Sequence, residues 1–582
     1  MTVNVFAFVI HVLHEEVAVS NARFPSVNSA GRGLLSGLLA IVVLIECAAF
    51  GVAGETDLWN RLQTEAVENK FSPLAFWGTD ESIYSNWFSH SNRLIPVYTF
   101  GTRGAGRGID LTSYTGKNSV YRDESKLSQI YGHTPTDTLN KKADYLDQAN
   151  IGQIQFEALK AGKKHIFLVV FDGMDWQTTQ AAAIVKTGKI GYTSGRGNGL
   201  HFQDETADNT SQFGWMVTTP VAERAQIDVD EQTADGLKGT FGGYDVKRGG
   251  PNPWTPTNDL PYLIGKASKD KPGKHAVPDS AATATAMTTA TKTYNGAIGI
   301  DRTGFQLTSI AHTAQQKNYR IGVVTSVPIS HATPASAYSH NVTRDDYQDL
   351  SRDLLGLPSV AHPDQPLPGV DVLIGAGFGV ETSTDKAQGK NFVPGNRYLA
   401  EADWKAVNVK NGGKYVVAHP EEDKSGKEVL AEAAERAVAT GQRLFGYFGT
   451  SYAHLPFQTA DGNFNPPPGT TKKAETYTAE EVRSNPTLAD MTESALTVLA
   501  ADDKPFWMLV EAGDVDWANH DNNLDNSIGA VFSGDDAVRT ITEWVDEHSN
   551  WDESVLIVTA DHGHYLHFKK PELLIPSSDN GK

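Results

Sequence analysis

Cysteine is almost missing, with one residue in a chain of 582. A disulfide framework and a thiolate zinc finger are therefore excluded, and any metal site must be built from His, Asp and Glu. Basic residues are outnumbered, 50 Lys and Arg against 70 Asp and Glu, for a formal charge of −20. That balance lacks the basic footprint of a general nucleic-acid binder, so no nucleic-acid-specific binding is expected. An anionic substrate is not excluded, because a bound cation reverses the local field. Long apolar runs are missing too, apart from one near the N-terminus, and there is no obvious repeat or long low-complexity tract. The apolar share of 40% and charged share of 21% are those of an ordinary globular chain. The length fits several domains or one large α/β body.

The single apolar run spans Leu34 to Ile45, is free of charge, follows Arg23 and Arg32, and is followed by Ala48, Ala49, Gly51 and Ala53. A basic flank, a short apolar core and a small-residue exit describe a secretory signal peptide over residues 1–53. Glu46 ends the run too early for a span of about 20 residues, which ranks an uncleaved anchor or a buried helix below export. Cleavage near Ala53 removes Cys47; the Leu-Ile-Glu-Cys sequence around it is a poor lipid-attachment site. The expectation is an exported protein, periplasmic or extracellular, with no stable membrane association after cleavage and an acidic surface that selects no partner.

Residues 54–161 read as an N-terminal extension without an assigned role. Beyond it, Pro and Gly cluster in loops at Gly249–Pro256 and Pro466–Gly469. Strand-length apolar runs alternate with helical stretches, which predicts an α/β fold with a largely parallel sheet. Four of these runs lead into residues that bind metals. HIFLVVF at His165–Phe171 is followed by Asp172, IGVVTS at Ile321–Ser326 by a loop with His331 and Thr333, PFWMLV at Pro505–Val510 by Glu511, and SVLIVTA at Ser554–Ala560 by Asp561-His562-Gly563-His564. One carboxylate after a strand is ordinarily a turn residue or a cap. Four in one chain, at the edge where open α/β sheets bind ligands, point to a shared site. Asp516 and His520 are four apart and share a helix face, a pairing that by itself also describes a solvated surface. Carboxylate with imidazole suits zinc, and carboxylate with hydroxyl suits magnesium.

A nucleophile candidate stands in VPDSAATATA, Val277–Ala286, where Ser280 opens an alanine-rich helix. A plain serine N-cap accounts for the residue equally well. The same geometry presents free N–H groups to an anion, and a metal ion at the hydroxyl would make it a nucleophile.

With these pieces in view the chain resembles the alkaline phosphatase family. The matching segments are FDGMD at Phe171–Asp175, PDSAATATA at Pro278–Ala286, HATPA at His331–Ala335, HNVTRDDY at His340–Tyr347, NPTLADMT at Asn485–Thr492, VEAGDVDWANH at Val510–His520 and TADHGH at Thr559–His564. They span roughly the last two-thirds of the chain, so the resemblance divides it into a catalytic domain, 162–582, with an insertion around 354–484. It implies a three-layer α/β fold with a large, mostly parallel central sheet between helices, two Zn2+ and one Mg2+, and hydrolysis of small-molecule phosphate monoesters through a phosphoserine. By resemblance, Asp172, Asp561 and His562 hold the zinc that activates Ser280, and Asp516 and His520 hold the zinc at the leaving group. Asp172, Thr333 and Glu511 hold magnesium, Arg344 clamps two phosphate oxygens, and Asp279 holds Arg344. His564 orients a zinc ligand, while His331 and Trp517 stand near phosphate and magnesium, with Trp517 positioning through its indole N–H. A homodimer is implied on analogy alone.

One departure concerns the leaving-group zinc. The family takes a third histidine from a segment well downstream of the Asp-His motif, and here only His567 follows His564. A ligand from elsewhere such as His454, weak binding, or a truncated sequence are the alternatives. Competing readings are a phosphodiesterase or sulfatase of the same superfamily, or a homologue that binds metal and phosphate without turnover. Ser280 argues against a sulfatase, and the Arg344 clamp against a diesterase.

Overall fold

The computed structural model describes residues 57–257, 259–267 and 274–576; the signal peptide expected over residues 1–53 lies outside them. Ten strands join in one sheet. In chain order they are β1 (Ile95–Phe100), β2 (Leu146–Asp147), β3 (His165–Phe171), β4 (Gln212–Val217), β5 (Arg320–Pro328), β6 (Val372–Ala376), β7 (Tyr415–Ala418), β8 (Arg443–Tyr447), β9 (Phe506–Ala512) and β10 (Ser554–Thr559). Across the sheet the order is β7-β8-β6-β5-β9-β3-β10-β1-β4-β2. All neighbouring pairs are parallel except the two that β1 makes, with β10 and with β4.

The four runs singled out in the sequence are adjacent at the centre, in the order β5-β9-β3-β10. β3, β9 and β10 are buried along their whole length. Continuous Val, Ile, Leu and Phe suit a parallel strand covered on both faces, where an alternating pattern would expose polar side chains to the core. The main helices are α1 (Ala149–Lys160), α2 (Ser280–Thr289), α3 (Ala332–Ser336), α4 (Tyr347–Leu355), α5 (Leu488–Leu499), α6 (Asp514–His520) and α7 (Leu524–His548). α1 packs on α2, and α5 packs on α7. The molecule is thus an α/β protein with a large, mostly parallel sheet flanked by helices, and no described helix is long and apolar enough to cross a membrane.

Two stretches set apart in the sequence turn out to belong to this sheet. β1 and β2 come from the expected extension, 54–161, and β1 lies directly against β10. Residues from Asp57 onward form one compact unit. The expected insertion, 354–484, supplies β6, β7 and β8, which continue the parallel sheet at one edge. β1 reads IPVYTF, with Pro96 as its second residue offering no N–H to the ladder, and that mixed signature hides it from a search for buried parallel strands.

The position of α2 depends on a glycine. A Cβ at Gly152 of α1 would lie 2.6 Å from the backbone nitrogen of Ala290, the left-handed residue that ends α2. Gly152→Ala must push the two helices apart. It should cost about 1–3 kcal/mol by overpacking, read as a lower urea midpoint with an unchanged m-value.

Candidate active site

The carboxyl ends of the central strands deliver the expected side chains to one place. Asp172 follows β3 directly, Glu511 lies near the end of β9, and Asp561 and His562 follow β10. His331 and Thr333 stand at the start of α3, after β5. Asp516 and His520 lie one turn apart on α6, with His520 Nε2 3.5 Å from Asp516 Oδ2. Gly173 lets these elements meet: its φ is +73°, and a Cβ there would lie 3.0 Å from both the Asp516 Cα and the His564 ring. Its N–H donates to Asp561 Oδ1 at 3.0 Å.

Ser280 is the first residue of α2, and its cap is Asp279, whose Oδ1 accepts the N–H of Ala282 at 3.0 Å. The serine N-cap read from the sequence is thereby corrected. Capping falls to the carboxylate one residue earlier, which leaves the serine hydroxyl outside the cap. Ser280 Oγ lies 3.2 Å from His562 Nε2 and 3.4 Å from Asp172 Oδ1. Asp279 also turns its other oxygen outward, 3.4 Å from Arg344 Nη1, and that oxygen accepts the Gly296 N–H at 3.0 Å. One carboxylate therefore fixes both the helix start and the guanidinium beside it. Arg344 Nη2 lies 3.2 Å from His331 Nε2. Ser280 and Arg344 face a cleft of about 430 Å³ shared with Asp516 and His520.

The residue that sequence reasoning missed is His90, three residues beyond Trp87 in the segment leading to β1. Its Nε2 lies 3.0 Å from His520 Nε2 and 3.5 Å from Asp516 Oδ1. Its Nδ1 faces the Pro278 carbonyl at 2.7 Å, and the Nδ1 of His520 faces the Phe88 carbonyl at 2.7 Å. A carbonyl only accepts, so in the neutral rings both hydrogens sit on Nδ1 and both Nε2 lone pairs point at each other. Two lone pairs and a carboxylate converging at these distances suit a cation, with backbone carbonyls orienting each imidazole from behind.

The two histidines considered as a third ligand, His454 and His567, fall elsewhere. His454 is fully buried, with Nε2 3.2 Å from Glu475 and its ring edge-on to Trp517. His567 sits between Arg93 and the Phe76 ring. Neither meets Asp516 and His520. His564 Nε2 donates to Asp516 Oδ1 at 2.7 Å and stands in the same close group as His90 and His562. Trp517 is packed between His331 and His454 through ring contacts, and the Lys472 ammonium lies over it at 5.7 Å. Lys472 comes from the expected insertion and lines the same cleft; its backbone N–H is tied to Asp521 just past α6. No motif marks it in the sequence.

Electrostatics say what the cluster lacks. Burial, then Asp561, Asp516 and Glu511, pushes the Asp172 carboxyl well above the usual range. Burial likewise raises Asp561, and pushes Glu511 up to about 8. Burial also works against Asp516, but the imidazoles of His520, His564 and His90 outweigh it and hold that group well below the usual range. Asp172 Oδ2, Thr333 Oγ1 and Glu511 Oε1 are buried and have no hydrogen-bond partner. Buried polar atoms are usually paired, and unpaired oxygens of hard-ligand type beside raised carboxylates leave room for a cation. Donor atoms able to share a cation lie within 4.8 Å of one another in three groups here: His90, Asp516, His562 and His564; Asp172, Asp561 and His562; and Asp172, His331 and Glu511, with His520 Nε2 3.0 Å from His90 beside the first.

Comparison with known proteins gives the family. The sequence profile described as alkaline phosphatase matches residues 245–574, more than half of the chain. The chain belongs to the alkaline phosphatase family. It is similar to Alkaline phosphatase 3 of Bacillus subtilis (strain 168), 28% identical over 312 residues, covering 53% of this chain and 54% of that protein. It is also similar to the alkaline phosphatase of Escherichia fergusonii, 29% identical over 371 residues, covering 60% of this chain and 70% of the relative. The chain spans about half the length of the Bacillus relatives it matches. Among solved structures, the cold-active enzyme of Shewanella sp. aligns over 69% of this chain and 68% of its own at 20% identity, with a TM-score of 0.39.

The assignment of His90 has a direct check. After equilibration with zinc and desalting, His90→Ala should retain about one equivalent less divalent metal than the parent protein, measured by elemental analysis. His454→Ala should retain the full complement.

Proposed function

We propose that the protein hydrolyses phosphate monoesters, with Ser280 as nucleophile and a phosphoserine as intermediate. The observation that carries the reading is the placement of Ser280: a hydroxyl left outside its own helix cap, at a positive helix end, between His562 and an arginine held by the cap residue. Zinc ions at Asp172/Asp561/His562 and at His90/Asp516/His520, with magnesium at Asp172/Thr333/Glu511, would supply Lewis-acid activation of hydroxyl and charge neutralisation of the leaving oxygen.

The chain's own residues account for the rest. Ser280 Oγ forms the bond to phosphorus as the bond to the ester oxygen breaks on the opposite side, releasing the alcohol. Water then displaces the serine and inorganic phosphate departs. Arg344 offers two parallel donors to two non-bridging oxygens, and Asp279 keeps that fork turned toward Ser280. The first turn of α2 adds free N–H groups and the positive end of its dipole. Positioning and charge stabilisation of this kind supply most of the catalysis in phosphoryl transfer. The open cleft leaves the alcohol portion in solvent, which suits a broad range of small monoesters. Export to the periplasm or the exterior belongs to the same reading and rests on the Leu34–Ile45 run.

Ser280→Ala should cut the turnover of an aryl phosphate monoester at least about a thousandfold, and mass spectrometry of acid-quenched protein should show loss of the phosphate adduct. Unchanged turnover would sink the assignment. Arg344→Ala removes charge-assisted hydrogen bonds worth about 1.5–3 kcal/mol, so inhibition by inorganic phosphate should weaken about 10–100-fold while metal content is retained. Loss of metal in that variant would make Arg344 a structural residue.

A further inference from the structure

Apart from the active site, one cluster among the described residues brings metal-binding side chains together: the donor atoms of His340, Asp353 and His362 lie within 4.8 Å of one another. His340 stands between α3 and α4, Asp353 on α4, and His362 in the loop that follows. His340 Nε2 lies 2.7 Å from the Leu307 carbonyl, and His362 Nδ1 lies 2.9 Å from Asp353 Oδ1. Both partners are acceptors, so each neutral ring carries its hydrogen on the outer side. The inner nitrogens, His340 Nδ1 and His362 Nε2, are left with lone pairs 3.2 Å apart. This is the arrangement already seen between His90 and His520, with an acceptor behind each ring and two lone pairs in front.

Asp353 is fully engaged as the orienting group. Its Oδ1 also accepts from Ser359 Oγ at 2.6 Å, and its Oδ2 accepts the backbone N–H of His340 at 3.0 Å. His362 is half-buried, which gives solvent a path to the pair.

We propose that His340 Nδ1 and His362 Nε2 bind a transition-metal ion, zinc by ligand type, at a site separate from the reaction centre, with Asp353 and the Leu307 carbonyl fixing the two rings and water filling the open positions. Two nitrogens bound to one tetrahedral zinc at about 2.0–2.1 Å stand about 3.3 Å apart, close to the spacing present. A carboxylate behind a ligating histidine is the usual support for such a ligand. The ion would pin the loop after α4 to His340, four residues before Arg344. Its role is to brace the segment that carries the clamp.

The test is metal stoichiometry on the full chain. Metal-free protein is equilibrated with excess zinc, desalted and analysed for zinc, for the parent, His362→Ala and His362→Gln. The same two substitutions are also made in an Asp516→Ala/His520→Ala background, where the leaving-group position is already disabled. Each His362 substitution should remove about one equivalent in both backgrounds. The glutamine variant keeps a hydrogen-bonding side chain, so it reports if the alanine variant misfolds. Equal zinc content with and without His362 overturns the proposal and makes His362 a hydrogen-bonding link between Asp353 and His340.

Discussion

The structure depends on charges of one sign buried together. Asp172, Glu511 and Asp561 are fully buried at the carboxyl edge of adjacent strands, and Asp516 on α6, nearly buried, faces the cleft beside them. Carboxylates so placed cannot all ionise without compensation. Asp516 obtains it from imidazoles, whereas Asp172, Asp561 and Glu511 have burial and one another, and their protons are held tightly as a result. In the proposed reading, cations would resolve the conflict and would let the same arrangement hold a phosphate beside Ser280. Arg344 and the start of α2 face the same cleft with charge of the matching sign.

The sheet makes this crowding possible. Parallel strands end at the same edge, so Asp172, Glu511 and the Asp561-His562 pair arrive from three neighbouring strands with no long loops to hold in place. The antiparallel strand β1 then carries the chain past the outer side of β10, and the turn leading to it places His90 opposite His520. A segment standing before every recognisable motif in the chain thus completes the cluster. The same logic brings Lys472, from the strand-rich edge segment, to the mouth of the cleft, where a turn tied to Asp521 fixes its backbone.

Much of this was legible in the residues. Apolar runs such as HIFLVVF and SVLIVTA are unambiguous as buried strands, and each ends in a residue with a reason to be there. Asp516 and His520 were readable because helix periodicity puts them on one face. His90 was not, since nothing local distinguishes an imidazole after Trp87-Phe88-Ser89 from an ordinary loop histidine; only the antiparallel pairing of β1 brings it across. The division between cap and nucleophile at Asp279 and Ser280 was equally hidden, because either residue can cap and only the side-chain directions decide. Segments 54–161 and 354–484 looked peripheral for want of motifs, yet both carry strands of the sheet.

The central claim is that cations occupy the buried carboxylate–imidazole cluster. A crystal of the zinc-equilibrated protein, measured at the zinc absorption edge, tests it most directly. The account predicts anomalous peaks between His90, Asp516 and His520 and between Asp172, Asp561 and His562, the latter beside Ser280 Oγ. No peak at either position, with His90 and His520 instead sharing a proton, would contradict it.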